Sequence, residues 1–155
     1  ALCSEFEAFL YKHGADICHD TPKQHDLLMG VGQKLPTAIS MAIALTLKDH
    51  QVRPGEIASH STLTSLYGIL AMGRMHAQNP RTYAEILATH GEGRKIARAF
   101  ARNMLTILDL AEAGEIEELC QVLEASREYL TEDFLQATMQ QSLAVDEVLG
   151  KMIRP

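Results

Sequence analysis

The sequence predicts an all-α fold. Apolar residues recur at three- and four-residue steps along most of the chain, which is the spacing of amphipathic helices. No second alternating apolar and polar pattern, the mark of a half-buried strand, follows the first twenty residues. A chain of 155 residues is long enough for one domain with a real core. We therefore expect one helical globular unit.

The first twenty residues predict one helix and one short strand. Glu5 to Tyr11 is amphipathic and stops before Gly14, a natural helix C-cap. The residues that follow, Ala15 to His19, have the pattern of a strand. A helix followed by a single strand cannot bury itself alone.

A long second helix is predicted from Pro22 to about Asp49. Thr21 is the expected N-cap, and proline at the first helical position loses no hydrogen bond. Pro36 lies inside this helix and removes one backbone donor, so we expect a kink or break near residues 33–36.

Turn and cap signals divide the rest of the chain into further helices. They predict a turn at Pro54-Gly55, a helix from the caps at Ser59 to Ser61 through Met75, a short helix starting at Pro80, a longer one from Gly91 and Gly93 to Gly114, and two more over residues 115–130 and 131–152. Ala38 to Leu47 and Leu63 to Met72 are apolar on more than one face. Either a partner subunit covers these faces or both segments are central helices.

Composition excludes several classes of protein. A net charge of −6 without a dense Lys/Arg run argues against nucleic acid or anionic membrane as a partner. Cys3, Cys18 and Cys120 lack CxxC spacing, which favours reduced thiols and a cytoplasmic protein. The apolar run from Ile39 to Leu47 is too short to span a bilayer. The seven histidines show no zinc-type spacing, so we expect no metal site.

One arginine lies in an apolar helix directly before a polar turn started by proline. Arg74 presents a planar fork that matches a carboxylate, and a partly buried guanidinium must find an anion to offset its desolvation. The anion is either a ligand or an internal acid such as Glu85. A second polar pair, His25 and Asp26, is predicted at the first turn of the second helix, where an acid favours the helix dipole.

These residues carry a family resemblance. The pattern Arg74-x-x-Ala77-x-x-Pro80, together with His25-Asp26-Leu27-Leu28-Met29, resembles the C-terminal helical domain of the prephenate/arogenate dehydrogenases. The resemblance runs from about Phe6 to the end of the chain. It implies that residues 21–155 form a helical dimerisation and substrate-binding domain of the 6-phosphogluconate-dehydrogenase-like type. Residues 1–20 would then be the last helix and strand of a Rossmann nucleotide-binding domain.

The resemblance also implies an activity and roles for residues. The reaction is the oxidative decarboxylation of prephenate to 4-hydroxyphenylpyruvate in tyrosine biosynthesis, with NAD or NADP bound mainly by the domain that precedes this one. It implies a homodimer in which Arg74 binds a substrate carboxylate and Tyr83 walls the pocket. His25 and Asp26 would lie at its mouth, where Asp26 gates substrate entry. The catalytic residues belong to the other domain, so this chain alone is expected to be inactive.

Departures from the family pattern leave two alternatives open. Many members have Ser-His-Leu-Pro-His where this chain has Gln33-Lys34-Leu35-Pro36-Thr37, which puts tyrosine feedback in doubt. Leu70 and Ala71 replace charged residues, so arogenate or another acid is a possible substrate. The other alternative is a non-catalytic helical dimer or ligand sensor derived from the fold. Gly30-Val31-Gly32 lies within a helix and is no phosphate loop, and Gly91-Glu92-Gly93 is more typical of a hinge.

Overall fold

The computed structural model describes residues 2–153, and its regular structure there is entirely helical, which confirms the predicted fold class. A π-helical turn, Gly30–Lys34, joins α2 to α3, and a 3-10 turn, Ala58–His60, follows α4. The helices are α1 (Leu2–Lys12), α2 (Pro22–Met29), α3 (Leu35–Asp49), α4 (Pro54–Ile57), α5 (Leu63–His76), α6 (Pro80–Ala88), α7 (Gly93–Ala113), α8 (Ile116–Leu130) and α9 (Glu132–Ile153).

The predicted helix ends are set by caps. Thr21 caps α2 in a complete capping box, in which its hydroxyl accepts from the Gln24 N–H at 3.3 Å. Gly114 ends α7 in the left-handed conformation with φ of 74°. The third predicted helix begins slightly later than expected, since Thr62 and not Ser59 to Ser61 is the N-cap of α5.

The predicted strand at Ala15–His19 is wrong. These residues are irregular, and residues 2–153 contain no strand with which they could pair. A strand is stabilised by hydrogen bonds to a neighbour, so the residue pattern alone could not produce one. Gly14, with φ of 83°, does end α1 as predicted.

The predicted irregularity near Pro36 is confirmed. It is a π-helical turn, Gly30–Lys34, that lies just before the proline in the chain. The Leu35 N–H donates to the Gly30 carbonyl, five residues back. Pro36 has no N–H to offer the Gly32 carbonyl, and its ring crowds that carbonyl. The wider turn accommodates the proline at the start of α3 and rotates the residues before it relative to α2.

Two glycines let the start of α7 cross this turn. A Cβ added at Gly93 would lie 3.1 Å from the Gly30 Cα and 2.9 Å from the Asp26 carbonyl oxygen. A Cβ at Gly30 would lie 2.8 Å from the Gly93 Cα. The backbones therefore meet at a distance that no side chain permits, and the π turn becomes the point against which α7 packs.

The helices on the C-terminal side form what we call the arm, residues 101–145, comprising most of α7, all of α8 and the first part of α9. No residue of the arm is buried. Its helices pack against one another, α7 on α8 and α8 on α9. Its large exposed apolar side chains are Met104, Leu105, Ile107, Leu108, Ile116, Val122, Leu123, Tyr129, Leu130, Phe134, Met139, Leu143 and Val145.

α9 returns from the arm to the body at α5. The Tyr67 hydroxyl lies 3.0 Å from the Ser142 carbonyl oxygen and also makes a short hydrogen bond to the Asp146 carboxylate. This bond to Asp146 raises the pKa of Tyr67 above its ordinary value, because the carboxylate favours the protonated phenol. Leu149 is buried near this contact, so the end of α9 is anchored although the arm is not.

The chain buries little apolar surface by itself. The buried apolar side chains among the described residues are Leu66, Met72 and Leu149, and none of them is completely enclosed. The accessible surface is 12,635 Å², about 4,900 Å² more than the roughly 7,750 Å² that a compact monomer of this mass exposes. Phe6 and Phe9 of α1 are more than half exposed as well. The single chain therefore leaves much apolar surface exposed, which favours contact with another protein surface.

The continuous helix Pro22–Asp49, through the π turn, is long and apolar enough to cross a membrane. The apolar run from Ile39 to Leu47, on which the expectation from sequence rested, is only a part of this helix. In the described part of the chain, α3 packs against α5 and the π turn packs against α7, while 22% of the apolar window of this helix is buried. Lys34, Thr37 and Ser40 are its buried polar residues.

We predict that Gly93→Ala lowers the stability of the fold by about 1–3 kcal/mol, because the new methyl group forces α7 away from the π turn. Urea unfolding followed by circular dichroism measures the change. Gly73→Ala in α5 is the matched control, since a Cβ there meets nothing within 4 Å. It should stabilise the protein by about 0.5–1 kcal/mol through helix propensity. Equal effects of the two substitutions would contradict the close crossing.

Candidate functional site

A cleft of about 340 Å³ lies between the π turn, α3, α5 and α6. Its walls are partly apolar, with several uncharged polar side chains and one cation. The lining residues are Gly32, Gln33, Pro36, Thr37, Ser40, Ala71, Arg74, Met75, Gln78, Tyr83 and Ile86. The structure thus brings Arg74 and Tyr83, which the sequence analysis singled out separately, to the same cavity.

Arg74 is the cation of this cleft. It lies near the C-terminal end of α5 and is exposed, so the expectation of a partly buried arginine is wrong. Within residues 2–153 no carboxylate lies within 4 Å of its guanidinium. Glu85, the internal partner considered for it, instead pairs with Arg81 at 2.7 Å. The described part of the chain leaves the N–H donors of the Arg74 guanidinium available to an external anion.

Tyr83 forms the wall opposite α5. It is half-buried on α6, and its hydroxyl donates to the Gln78 side-chain oxygen at 2.9 Å. Asn79 caps α6 through the Arg81 N–H, and Pro80 occupies the first helical position. These signals start α6 immediately after the turn that follows Arg74. The position of α6 places the Tyr83 ring beside the cleft.

The polar floor of the cleft comes from one face of the bent helix. Thr37 and Ser40 are buried, and the Thr37 hydroxyl donates to the Gln33 carbonyl at 2.8 Å. Sequence reasoning noted Gln33 and Thr37 only as departures from a family pattern and did not single out Ser40. The signal was present, because residues 33, 37 and 40 have the spacing of one helical face.

His25 and Asp26 line a second cavity of about 190 Å³ beside the first. Gln33 and Ile86 contribute to both cavities, so the two spaces share a wall. His25 is exposed and Asp26 is half-buried. The four predicted residues therefore lie around two adjoining cavities.

The position of Asp26 within its helix differs from the prediction. α2 begins at Pro22, so His25 lies in the first turn as predicted, whereas Asp26 is the first residue after that turn. The Asp26 carboxylate lies directly against Gly91, whose φ of 118° suits glycine. Its negative charge therefore faces the N-terminus of α7, where the helix dipole favours an anion. No cation lies within 4 Å of it among the described residues, and its predicted gating role stays a prediction.

Lys34 is a feature of the site that sequence reasoning missed. It is buried, and its ammonium donates to the Ile86 carbonyl at 2.5 Å and to the Thr89 carbonyl at 2.8 Å. Both acceptors belong to the C-terminal end of α6. The sequence carried no signal for this contact, because the two partners are more than fifty residues away.

Neither glycine-rich segment, residues 30–32 or 91–93, is an open phosphate loop in the described structure. Gly30 is occupied by the crossing with Gly93, and the N-terminus of α7 meets the Asp26 side chain instead of a phosphate. The described part of the chain also brings together no group of three or more histidine, cysteine or acidic residues fit for a metal ion. Its three cysteines are exposed and free.

Comparison with known proteins identifies the class to which this fold and cleft belong. Residues 21–125 match the family model described as the dimerization domain of prephenate dehydrogenase. The chain belongs to that family.

A relative from Methanocaldococcus jannaschii is described as a probable arogenate/prephenate dehydrogenase. It is 26% identical over 125 residues, which cover 80% of this chain and 28% of the relative. The chain thus spans just over a quarter of that protein. No solved structure matches the chain.

Proposed function

We propose that this chain is the C-terminal part of a prephenate or arogenate dehydrogenase, in which it supplies the carboxylate-binding side of the substrate site and the dimer surface. The observation that carries the proposal is the guanidinium of Arg74, which pairs with no carboxylate of residues 2–153 and lies at a cleft lined otherwise by uncharged groups. Family membership supports it, because the resemblance implies that the arginine of this pattern binds a substrate carboxylate.

The reaction that the family implies is an oxidative decarboxylation. A nicotinamide cofactor bound outside this chain would supply the acceptor for the hydride of the ring carbinol, and the ring would lose its carboxylate as carbon dioxide and become aromatic. As the family resemblance implies, the cofactor and the catalytic base would belong to the preceding nucleotide-binding domain. Residues 1–20 would be the end of that domain. The contribution of this chain is to hold the substrate acid in place before the chemistry.

Arg74 would perform that role as a bidentate donor. A guanidinium can bind both oxygens of one carboxylate, which sets the orientation of the ligand as well as its position. Tyr83 and Met75 supply apolar wall beside it, while Thr37 and Ser40 supply hydroxyl groups at the floor. The cleft holds one cation, so this chain neutralises one carboxylate of the substrate. The second charged group must meet residues outside it.

A second copy of the chain covers the arm in this proposal. The exposed apolar residues of the arm and the excess surface fit an obligate homodimer, whose interfaces bury on the order of 2,000–5,000 Å². The exposed side chains of Phe6 and Phe9 belong to a different surface, which the nucleotide-binding domain would cover. The assembled enzyme is then soluble and cytoplasmic.

We predict that Arg74→Ala lowers kcat/KM by about 10- to 100-fold in the intact gene product, because the variant loses a charged pair of hydrogen bonds to the substrate. The measurement is NAD(P)H formation with prephenate and with arogenate. Turnover with either one identifies the preferred substrate.

Arg81→Ala is the matched control. Arg81 lies nearby on α6 and is exposed, but it pairs with Glu85 and does not line the cleft. Its replacement should leave kcat/KM within about twofold, since exposed ion pairs contribute little. Absence of turnover with both substrates in the wild type would favour a ligand sensor or structural module instead.

We predict that Leu123→Glu in α8 weakens the dimer by about a hundredfold or more, because it places an unpaired charge in an apolar interface. Sedimentation equilibrium of the intact protein measures the dissociation constant. Val52→Glu, at an exposed apolar side chain outside the arm, should leave the dimer unchanged. A wild-type monomer, or equal weakening by both substitutions, would contradict the assignment of the arm.

A further inference from the structure

We infer that Lys34 is a positioning residue that holds the α6 wall of the carboxylate cleft by capping the C-terminal end of that helix. The inference rests on the proposed function, because it concerns the same cleft. It starts from the burial of Lys34, which is 7% exposed and is the most buried charged side chain among the described residues.

A buried ammonium needs acceptors, and Lys34 takes them from the backbone. Its Nζ donates to the Ile86 and Thr89 carbonyls at 2.5 and 2.8 Å, and it pairs with no carboxylate among residues 2–153. The last carbonyls of a helix have no partner within the helix and carry the negative end of its dipole. The cation therefore satisfies α6 at the point where the helix cannot satisfy itself.

α6 depends on such an anchor. It has nine residues, and a helix of that length is marginal without tertiary contacts. It packs against α3 and against the π turn that carries Lys34. Holding its C-terminal end fixes the whole short helix, including Tyr83 and Ile86, which line the cleft.

The π turn explains how a lysine reaches this position. The turn carries Gln33 and Lys34 in succession, and Gln33 lines both cavities while Lys34 lines the second. The close crossing of Gly30 and Gly93 fixes the turn against α7. Lys34 therefore extends from a rigid base to the end of a marginal helix.

Because of the same contact, Lys34 does not bind the substrate directly. Lys34 is absent from the residues lining the Arg74 cleft, and its ammonium already serves two carbonyls. It acts on the substrate through the placement of α6 and not through contact. A positioning residue of this kind affects substrate binding more than the chemical step.

The test compares Lys34→Met, Arg74→Ala and Lys95→Met in the intact enzyme, with KM and kcat measured for the preferred substrate. Lys95 is an exposed lysine paired with Glu92 at 2.7 Å and lines neither cavity, so its variant is the matched control. Lys34→Met should raise KM about tenfold while kcat changes less than about threefold. Lys95→Met should leave both constants unchanged.

Hydrogen exchange of backbone amides provides a readout that needs no turnover. Lys34→Met should speed exchange in the α6 peptides, while the peptides of α3 and α5 keep their protection. Equal loosening of all three helices would place Lys34 in the general core and overturn the inference. Unchanged exchange in α6 or an unchanged KM would overturn it as well.

Lys34→Arg keeps the charge and the donors and remains informative if Lys34→Met does not fold. It should keep α6 protected and KM within about threefold of wild type, because a cation remains at the C-terminal end of the helix; a tenfold higher KM with α6 fully protected would overturn the inference. The proposed function fails separately. An Arg74→Ala enzyme with normal kcat/KM would remove the carboxylate site, whatever the exchange of α6 shows.

Discussion

The close crossing between the π-helical turn and the start of α7 is the constraint on which the rest of the site depends. Gly30 and Gly93 approach each other more closely than any side chain would allow, and Pro36 requires a widened turn at the same place. The turn thereby fixes the beginning of α3 and the positions of two successive residues, Gln33 and Lys34. Gln33 lies between the two cavities, and Lys34 lies at the end of α6.

The two cations near the cleft, Lys34 and Arg74, have opposite environments. Lys34 is buried and its donors are used by backbone carbonyls, so its charge stabilises structure. Arg74 is exposed, and the described residues give it no carboxylate, so its charge is available to a ligand. A desolvated charge without a partner is costly, which is why the available cation lies at the surface of the cleft and the buried one is fully bonded.

Local signals predicted much of the fold and part of the site. Thr21, Gly114 and Pro80 fixed helix ends because caps and proline act within a few residues of the chain. The strand at Ala15–His19 was wrong because strands depend on partners that a local pattern does not reveal. Lys34 was missed for a similar reason, since its acceptors are distant in sequence. The motif identified Arg74, but the sequence did not predict that its side chain is exposed.

The central claim is that Arg74 binds a carboxylate of the substrate. The most direct test is a crystal structure of the intact protein with bound prephenate or arogenate, determined under conditions in which the substrate does not react. The account predicts a substrate carboxylate within hydrogen-bond distance of both terminal nitrogens of Arg74, with Tyr83 beside the ligand. A ligand bound elsewhere, with Arg74 paired to an acid of the nucleotide-binding domain or of the second subunit, would contradict it.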